Sequence, residues 1–96
     1  MSVQVLPEVV PERREQGPGT GGGWIVIVYN NDRNTYDEVT NILIQATSCT
    51  QSEAEMETWE VDHLGKSVVH HGEEDECQRA ASVIRTIGIQ VEVVQE

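Results

Sequence analysis

Trp24-Ile-Val-Ile-Val-Tyr29 runs directly into Asn30-Asn-Asp-Arg-Asn-Thr35, and this junction decides the fold. The first half consists of six apolar residues, four of them Ile or Val, which predicts a strand that is buried on both faces. Every residue in the second half can donate or accept hydrogen bonds through its side chain. A polar loop at the end of a rigid strand is a favourable place to hold a small recognition site.

Two helices are predicted after this junction, because a Thr stands three residues before a Glu at Thr35–Glu38 and again at Thr50–Glu53. In such a capping box the Thr hydroxyl accepts a bond from the third helical N–H, and the Glu carboxylate accepts one from the Thr N–H. We expect helices over about residues 36–47 and 51–63, the second ended by Gly65. Apolar residues with helical spacing support the first helix: Val39, Ile42, Leu43 and Ala46.

The rest of the chain predicts a strand, a helix and a last strand. The strand is Ser67–His70, closed by Gly72. Four carboxylates in Glu73-Glu-Asp-Glu76 begin the helix, where the positive end of its dipole favours them, and Gly88 caps its end. Ile89–Val93 alternates apolar and polar residues, which is typical of a strand with one wet face. The helix takes its apolar face from Cys77, Ala80, Ala81, Ile84 and Ile87.

The predicted order is β-α-α-β-α-β, with too few strands and too short connections for a doubly wound sheet. We expect an α+β sandwich over residues 24–96, a small three-stranded antiparallel sheet with three helices packed on one face. Residues 1–23 hold all three prolines and five of the eight glycines, so we expect a flexible arm there. The alternative is that its valines dock on a partner as an extended strand.

The charge of the chain excludes some partners. The formal net charge is −11, and from Trp24 onward 14 acidic residues face 4 Lys and Arg. A nucleic-acid binder, or a protein drawn to anionic membranes, would need the opposite sign. No signal peptide or long apolar run is visible, so we expect a cytoplasmic protein. In that compartment Cys49 and Cys77 are expected to be free thiols.

No enzyme motif stands out in the sequence. There is no activated nucleophile and no paired-Cys metal signature, and the Gly-rich stretch precedes a strand instead of a helix. A zinc site is the only metal hypothesis, but the candidate ligands have spacings that match no common site. These candidates are His63, His70, His71 and Cys77. We therefore predict no enzyme, no metal and no cofactor.

The polar loop suggests a different chemistry. It lies at the exit of the first strand, and Val61 and Asp62 lie near the end of the second helix, which must pack close by in so small a domain. A primary ammonium has three donors and no acceptor, so converging amide and carboxylate oxygens suit it. The alternative is that the Asn and Asp side chains only cap the helix and satisfy the turn.

Two motifs carry a resemblance to a known family. The strand that leads into Asn30-Asn-Asp32, and Val61-Asp-His-Leu-Gly-Lys66 before a Val-rich strand, resemble the ClpS adaptor family. That family has a strand leading into Asn-Asp-Asp and a Val-His-x-x-Gly-(Lys/Arg) motif at the end of its second helix. The likeness runs without a gap from Trp24 to about Val69. It extends to the whole folded domain once a few residues are deleted near Gly88.

The resemblance implies an adaptor that binds the first residue of N-degron substrates and delivers them to a Clp AAA+ unfoldase that feeds the ClpP protease. It implies that the substrate α-amino group is held by Asn30, Asn31, Asp32 and Asp62. It implies a pocket for the first side chain with walls from Asn34, Tyr36, Thr58 and Val61. It places contact with the N-terminal domain of the unfoldase near Glu74 and Arg79. We expect a monomer that binds substrate N-terminal peptides.

Several positions depart from the family pattern. Asn31 stands where the family has Asp, Asp62 where it has His, and Tyr36 and Thr58 where it has Met. One carboxylate is thus lost on one side of the pocket and another gained across it. An alternative function is a diverged ClpS-like interaction domain that docks on an unfoldase or other partner without reading N-termini. The C-terminal domain of the ribosomal stalk protein has a similar arrangement, but it gives no reason for the polar motifs to converge.

Overall fold

A computed structural model of the chain describes residues 23–96. The elements follow one another as β-α-α-β-α-β, as predicted. They are β1 (Trp24–Tyr29), α1 (Tyr36–Thr47), α2 (Gln51–Leu64), β2 (Lys66–Gly72), α3 (Glu74–Arg85) and β3 (Val91–Gln95). The predicted arm lies outside the described residues except for Gly23, whose carbonyl accepts a bond from the Glu96 N–H at 2.9 Å. Strand β2 is longer than predicted at both ends, and α2 runs one residue further.

Strand β1 is the centre of the sheet and pairs antiparallel with β2 on one side and β3 on the other. Val26 and Val28 face the helices and have no exposed surface. Ile25 and Ile27 face the other way and are only half-buried. The prediction that β1 is buried on both faces was therefore wrong. All three helices pack on one side, so the outer face is covered only by cross-strand neighbours such as Val68.

The core lies between the inner face of the sheet and the helices. Its apolar members are Val26, Val28, Val39, Ile42, Leu43, Ala54, Val61, Val69, Cys77, Ala80, Ala81, Ile84, Ile89 and Val91. One polar contact crosses it: the Thr40 hydroxyl donates to Thr58 Oγ1 at 2.9 Å, and Thr58 donates to the Ala54 carbonyl at 2.7 Å. Because both hydroxyls are satisfied, a polar pair can be buried between α1 and α2 at little cost.

Both capping boxes are confirmed in full. The Glu38 N–H donates to Thr35 Oγ1 at 3.1 Å, and Glu38 Oε1 accepts from the Thr35 N–H at 2.9 Å. Thr50 and Glu53 repeat the arrangement with the same two distances, 3.1 and 2.9 Å. These bonds fix where α1 and α2 begin, and so fix the loop that precedes α1.

Helix α3 differs from its prediction at both ends. Glu73 is the N-cap residue, so three carboxylates instead of four lie in the first turn. The C-cap is Thr86, and Gly88 lies two residues further on with φ of +83°, where it forms the turn towards β3.

Both cysteines are free, as predicted.

Glu57 on α2 is an uncompensated carboxyl group. Its Oε1 is buried and has no hydrogen-bond partner among the described residues. Burial, with the like charges of Glu53 and Glu60 on the same helix, raises the pKa of Glu57 to about 8. The folded protein therefore holds a proton there that the unfolded chain releases above about pH 4.5. Stability must fall as the pH rises between these two values.

We expect Glu57→Gln to raise the free energy of unfolding at pH 8 by about 1–3 kcal/mol, because the amide needs no proton to be neutral. At pH 5 the gain should be much smaller, since the folded wild-type carboxyl is protonated there. Urea unfolding at the two pH values measures both. The control is Glu55→Gln, an exposed carboxylate on the same helix. Equal gains at pH 5 and pH 8 would show that Glu57 is ionised in the folded protein.

Candidate functional site

The two sequence motifs meet through one backbone hydrogen bond. The Asn30 N–H, just after β1, donates to the Gly65 carbonyl at 2.9 Å. Gly65 is the C-cap of α2 with φ of +92°, and its own N–H donates to the Val61 carbonyl at 3.2 Å. The positive φ favours glycine here. The bond brings the end of the central strand beside Val61 and Asp62.

A pocket of about 250 Å³ opens at this junction. It is lined by Asn30, Asn34, Thr35, Tyr36, Val39, Thr58, Val61 and Asp62. Six of these were predicted as site residues from the sequence. Thr35 and Val39 were missed, although Thr35 directly precedes Tyr36 and Val39 lies three residues after it on the same face of α1.

Val39, Val61 and Thr58 give the pocket a mainly apolar inner wall, although six of its eight lining residues carry polar side chains. Val39 and Val61 are buried, and Thr58 is only 2 % exposed. Since the Thr58 hydroxyl already donates to Ala54 and accepts from Thr40, its methyl group is what remains for the pocket. Such an interior favours an aliphatic or aromatic group over a polar one.

Tyr36 forms a fixed wall between two helices. Tyr36 is the first residue of α1, and its hydroxyl donates to the Glu55 carbonyl on α2 at 3.2 Å. The residue is 43 % exposed, so it stands at the mouth of the pocket. A tyrosine held at both ends cannot change shape as an unbranched side chain would.

The rim carries the charge of the site. Asp62 is the only ionisable carboxylate among the lining residues, and its side chain is 58 % exposed. Its Oδ2 lies 3.5 Å from His63 Nδ1, which also lies 3.0 Å from the Trp59 carbonyl. Asn30 is exposed on the opposite motif and adds an amide to the rim. Together these groups give the mouth of the pocket an excess of oxygen acceptors.

Asn31 and Asn34 build the turn itself. Asn31 Oδ1 accepts from the N–H groups of Arg33 and Asn34, each at 3.1 Å. Asn31 Nδ2 donates to Asn34 Oδ1 at 2.8 Å, and Asn34 Nδ2 donates to the Ile87 carbonyl at 2.8 Å. Asn31 is absent from the pocket lining, and a direct role for it in amino-group binding would compete with these bonds.

The remaining predicted residues lie outside the pocket. Asp32 is exposed and does not line it. Glu74 and Arg79 are exposed on α3, five residues apart and therefore about 140° apart around the helix axis. Helix α3 contributes no lining residue, so these two positions belong to a different surface.

Residues 23–96 contain no group of three His, Cys, Asp or Glu side chains placed to hold a metal ion. The histidines each have separate carboxylate neighbours: His63 with Asp62, His70 with Glu76 at 3.4 Å, and His71 with Glu96 at 3.8 Å. Within the same range no helix is long and apolar enough to cross a membrane.

Comparison with known proteins assigns the chain to a family. The family model for the ATP-dependent Clp protease adaptor protein ClpS matches residues 21–92. The chain belongs to the ClpS family. This is a family of adaptors, not of enzymes.

A solved structure and two curated proteins extend this assignment. Agrobacterium tumefaciens ClpS2 bound to L-phenylalaninamide has a TM-score of 0.74 at 17 % identity, over 80 % of this chain and 100 % of that one. That likeness confirms the predicted fold. The E3 ubiquitin-protein ligase ubr-1 of Caenorhabditis elegans is 27 % identical over 75 residues, 78 % of this chain. The E3 ubiquitin-protein ligase UBR2 of Homo sapiens is 36 % identical over 58 residues, 60 % of this chain. The matched regions span only 4 % and 3 % of the two ligases.

The bonds made by Asn34 predict the effect of one substitution. Asn34 Nδ2 donates to Glu38 Oε1 at 3.3 Å as well as to the Ile87 carbonyl. In Asn34→Asp this donor is lost, and a carboxylate faces both oxygens. We expect the free energy of unfolding to fall by about 1–3 kcal/mol. Urea unfolding tests this, with Asn41→Asp as the control because Asn41 is exposed on α1. If both variants lost the same amount, the Asn34 bond to Ile87 would contribute nothing specific.

Proposed function

We propose that this chain binds the free α-amino group and first side chain of N-degron substrates. It then delivers these substrates to a Clp AAA+ unfoldase for degradation by ClpP. The observation that carries the proposal is an exposed Asp62 carboxylate in the lining of a small pocket whose inner wall includes Val39 and Val61. Membership of the ClpS family supports the same function.

The chemistry of the rim suits an ammonium group. An α-ammonium offers three donors and a positive charge, and Asp62 and Asn30 offer acceptors at the pocket mouth. No Lys or Arg lines the pocket to repel it. An anionic group at the same place would be repelled by the Asp62 carboxylate, and a neutral group would gain no charge pairing from it.

The size of the pocket suits one side chain. Its volume of about 250 Å³ is below the usual range for whole drug-sized ligands, roughly 300–1,000 Å³. The first residue of a peptide needs less space, and the rest of the chain can leave through the open mouth. Because Tyr36 is held in place by Glu55, we infer that the accepted first residues are those whose side chains fit beside a fixed ring.

The proposed unfoldase contact involves a separate surface. Glu74 and Arg79 are exposed on α3, while the pocket is built from α1, α2 and the loop after β1. Substrate and the N-terminal domain of the unfoldase could therefore be bound at the same time. We place this activity in the cytosol, with the adaptor acting as a monomer.

We expect free N-terminal peptides to bind and their acetylated twins to fail. Acetylation removes the charge and two of the three donors, which should weaken binding by roughly 2–4 kcal/mol, or 30- to 1,000-fold. Fluorescence anisotropy with twenty peptides that differ only at the first residue, each free and acetylated, measures this. Equal affinities within the pairs would favour the alternative, a diverged ClpS-like interaction domain that does not read N-termini.

We expect Asp62→Asn to lower the affinity for the best-binding peptide by roughly two- to tenfold. The effect is small because the carboxylate is more than half exposed, so its pairing with the ammonium is partly screened. The charge-matched control is Asp75→Asn on α3, which should leave the affinity within about twofold. Asp32→Asn tests the loop carboxylate that lies outside the pocket lining. This variant should lose less peptide affinity than Asp62→Asn. Identical affinities for the Asp62 and Asp75 variants would remove Asp62 from the site.

A further inference from the structure

An exposed aromatic pair lies next to the pocket on α2. The rings of Trp59 and His63 are stacked, with centroids 4.4 Å apart and an interplanar angle of 15°. Trp59 is 47 % exposed, and the His63 side chain is 49 % exposed. A bond between His63 Nδ1 and the Trp59 carbonyl at 3.0 Å holds the imidazole in this position. The pair is therefore a rigid, partly apolar surface open to solvent.

The position of Trp59 relates this surface to the pocket rim. Asp62 lies three residues after Trp59 and Glu55 four residues before it, so both are neighbours of Trp59 on the helix surface. Asp62 lines the pocket, and the Glu55 carbonyl accepts the hydroxyl of Tyr36, the fixed wall of the mouth. Trp59 is thus flanked on both sides by groups of the rim.

The chemistry of this surface favours a cation. His63 covers one face of the Trp59 indole, which leaves the other face for a ligand. An indole face attracts Arg and Lys side chains more strongly than the ring of Tyr or Phe does. The Glu55 and Asp62 carboxylates on either side add charge of the right sign, and both residues are exposed. An acidic side chain would meet two carboxylates and the negative face of the ring. The surface therefore discriminates by charge as well as by shape.

A peptide held in the pocket brings its second residue within reach. Consecutive Cα atoms are about 3.8 Å apart. Helical neighbours such as Trp59 and Asp62 have Cβ atoms about 5–6 Å apart. If Asp62 holds the α-ammonium, the long side chain of the next residue can extend over the indole.

We propose that Trp59, stacked on His63 and flanked by Glu55 and Asp62, forms a second subsite that selects Arg or Lys as the residue after the N-terminal one. This inference rests on the proposed N-degron binding and deepens it. The subsite acts on the specificity of the same peptide, not on a second partner.

The experiment compares two peptides of identical composition. Both begin with the residue that binds best in the panel of twenty, and both carry a single Arg, at position two in one and at position six in the other. Equal net charge removes the general attraction of an acidic protein for basic peptides. We expect the wild-type protein to bind the position-two peptide roughly 3- to 10-fold more tightly. In Trp59→Leu, which keeps an apolar side chain and every charge, the ratio should fall below about two.

The control variant is Leu64→Ala, since Leu64 is exposed on α2 but away from the rim. It should keep the wild-type ratio. A wild-type ratio near one, or a ratio that Trp59→Leu leaves unchanged, overturns the subsite even if free peptides bind and acetylated ones do not. A panel in which acetylation changes nothing overturns the proposed function itself, and the subsite with it. The two failures are therefore distinguishable.

Discussion

The bond between the Asn30 N–H and the Gly65 carbonyl is the contact on which the candidate site depends. It joins the end of the central strand to the end of α2, two points 35 residues apart in the sequence. Its net contribution to stability is modest, about 1 kcal/mol. Its geometric effect is larger, because the left-handed Gly65 directs the α2 terminus back towards the strand. The turn leads straight into β2, whose Lys66 pairs with Tyr29 of β1, and this pairing keeps the two polar motifs side by side.

The seam between α1 and α2 explains why an apolar pocket can lie beside so many polar groups. Within the seam, Thr40 and Thr58 satisfy each other, and at its outer end Tyr36 crosses to the Glu55 carbonyl. These bonds satisfy the hydroxyls of Thr58 and Tyr36, so the Thr58 methyl group and the Tyr36 ring remain for the cavity. Asn30 and Asp62 stay exposed at the rim, where the half-exposed Asp62 carboxylate remains solvated and accessible.

Features that depend on a few neighbouring residues could be predicted from the sequence. Features that depend on how distant parts of the chain pack could not. Thr35–Glu38 and Thr50–Glu53 could be read from spacing alone, because a capping box involves only four neighbouring residues. The outer face of β1 could not, since whether Ile25 is covered depends on where every helix packs. Of the predicted site residues, Tyr36 and Thr58 line the pocket, whereas Asn31 bonds within its own turn. Sequence alone cannot tell whether an asparagine lines a pocket or bonds within its own turn. The spacing of four residues makes Trp59 and His63 neighbours on α2, but it does not predict that their rings stack.

The half-covered outer face of the sheet affects how copies of the molecule behave near one another. Ile25 and Ile27 lie there on the central strand, and the sheet ends on either side in an edge strand, β2 or β3. Edge strands expose unpaired backbone groups that invite strand addition and aggregation. What opposes this is mutual repulsion, since each copy carries a formal net charge of −11. That repulsion is screened beyond about 8 Å at physiological ionic strength. The colloidal behaviour of this small acidic protein is therefore set by the salt around it as much as by its packing.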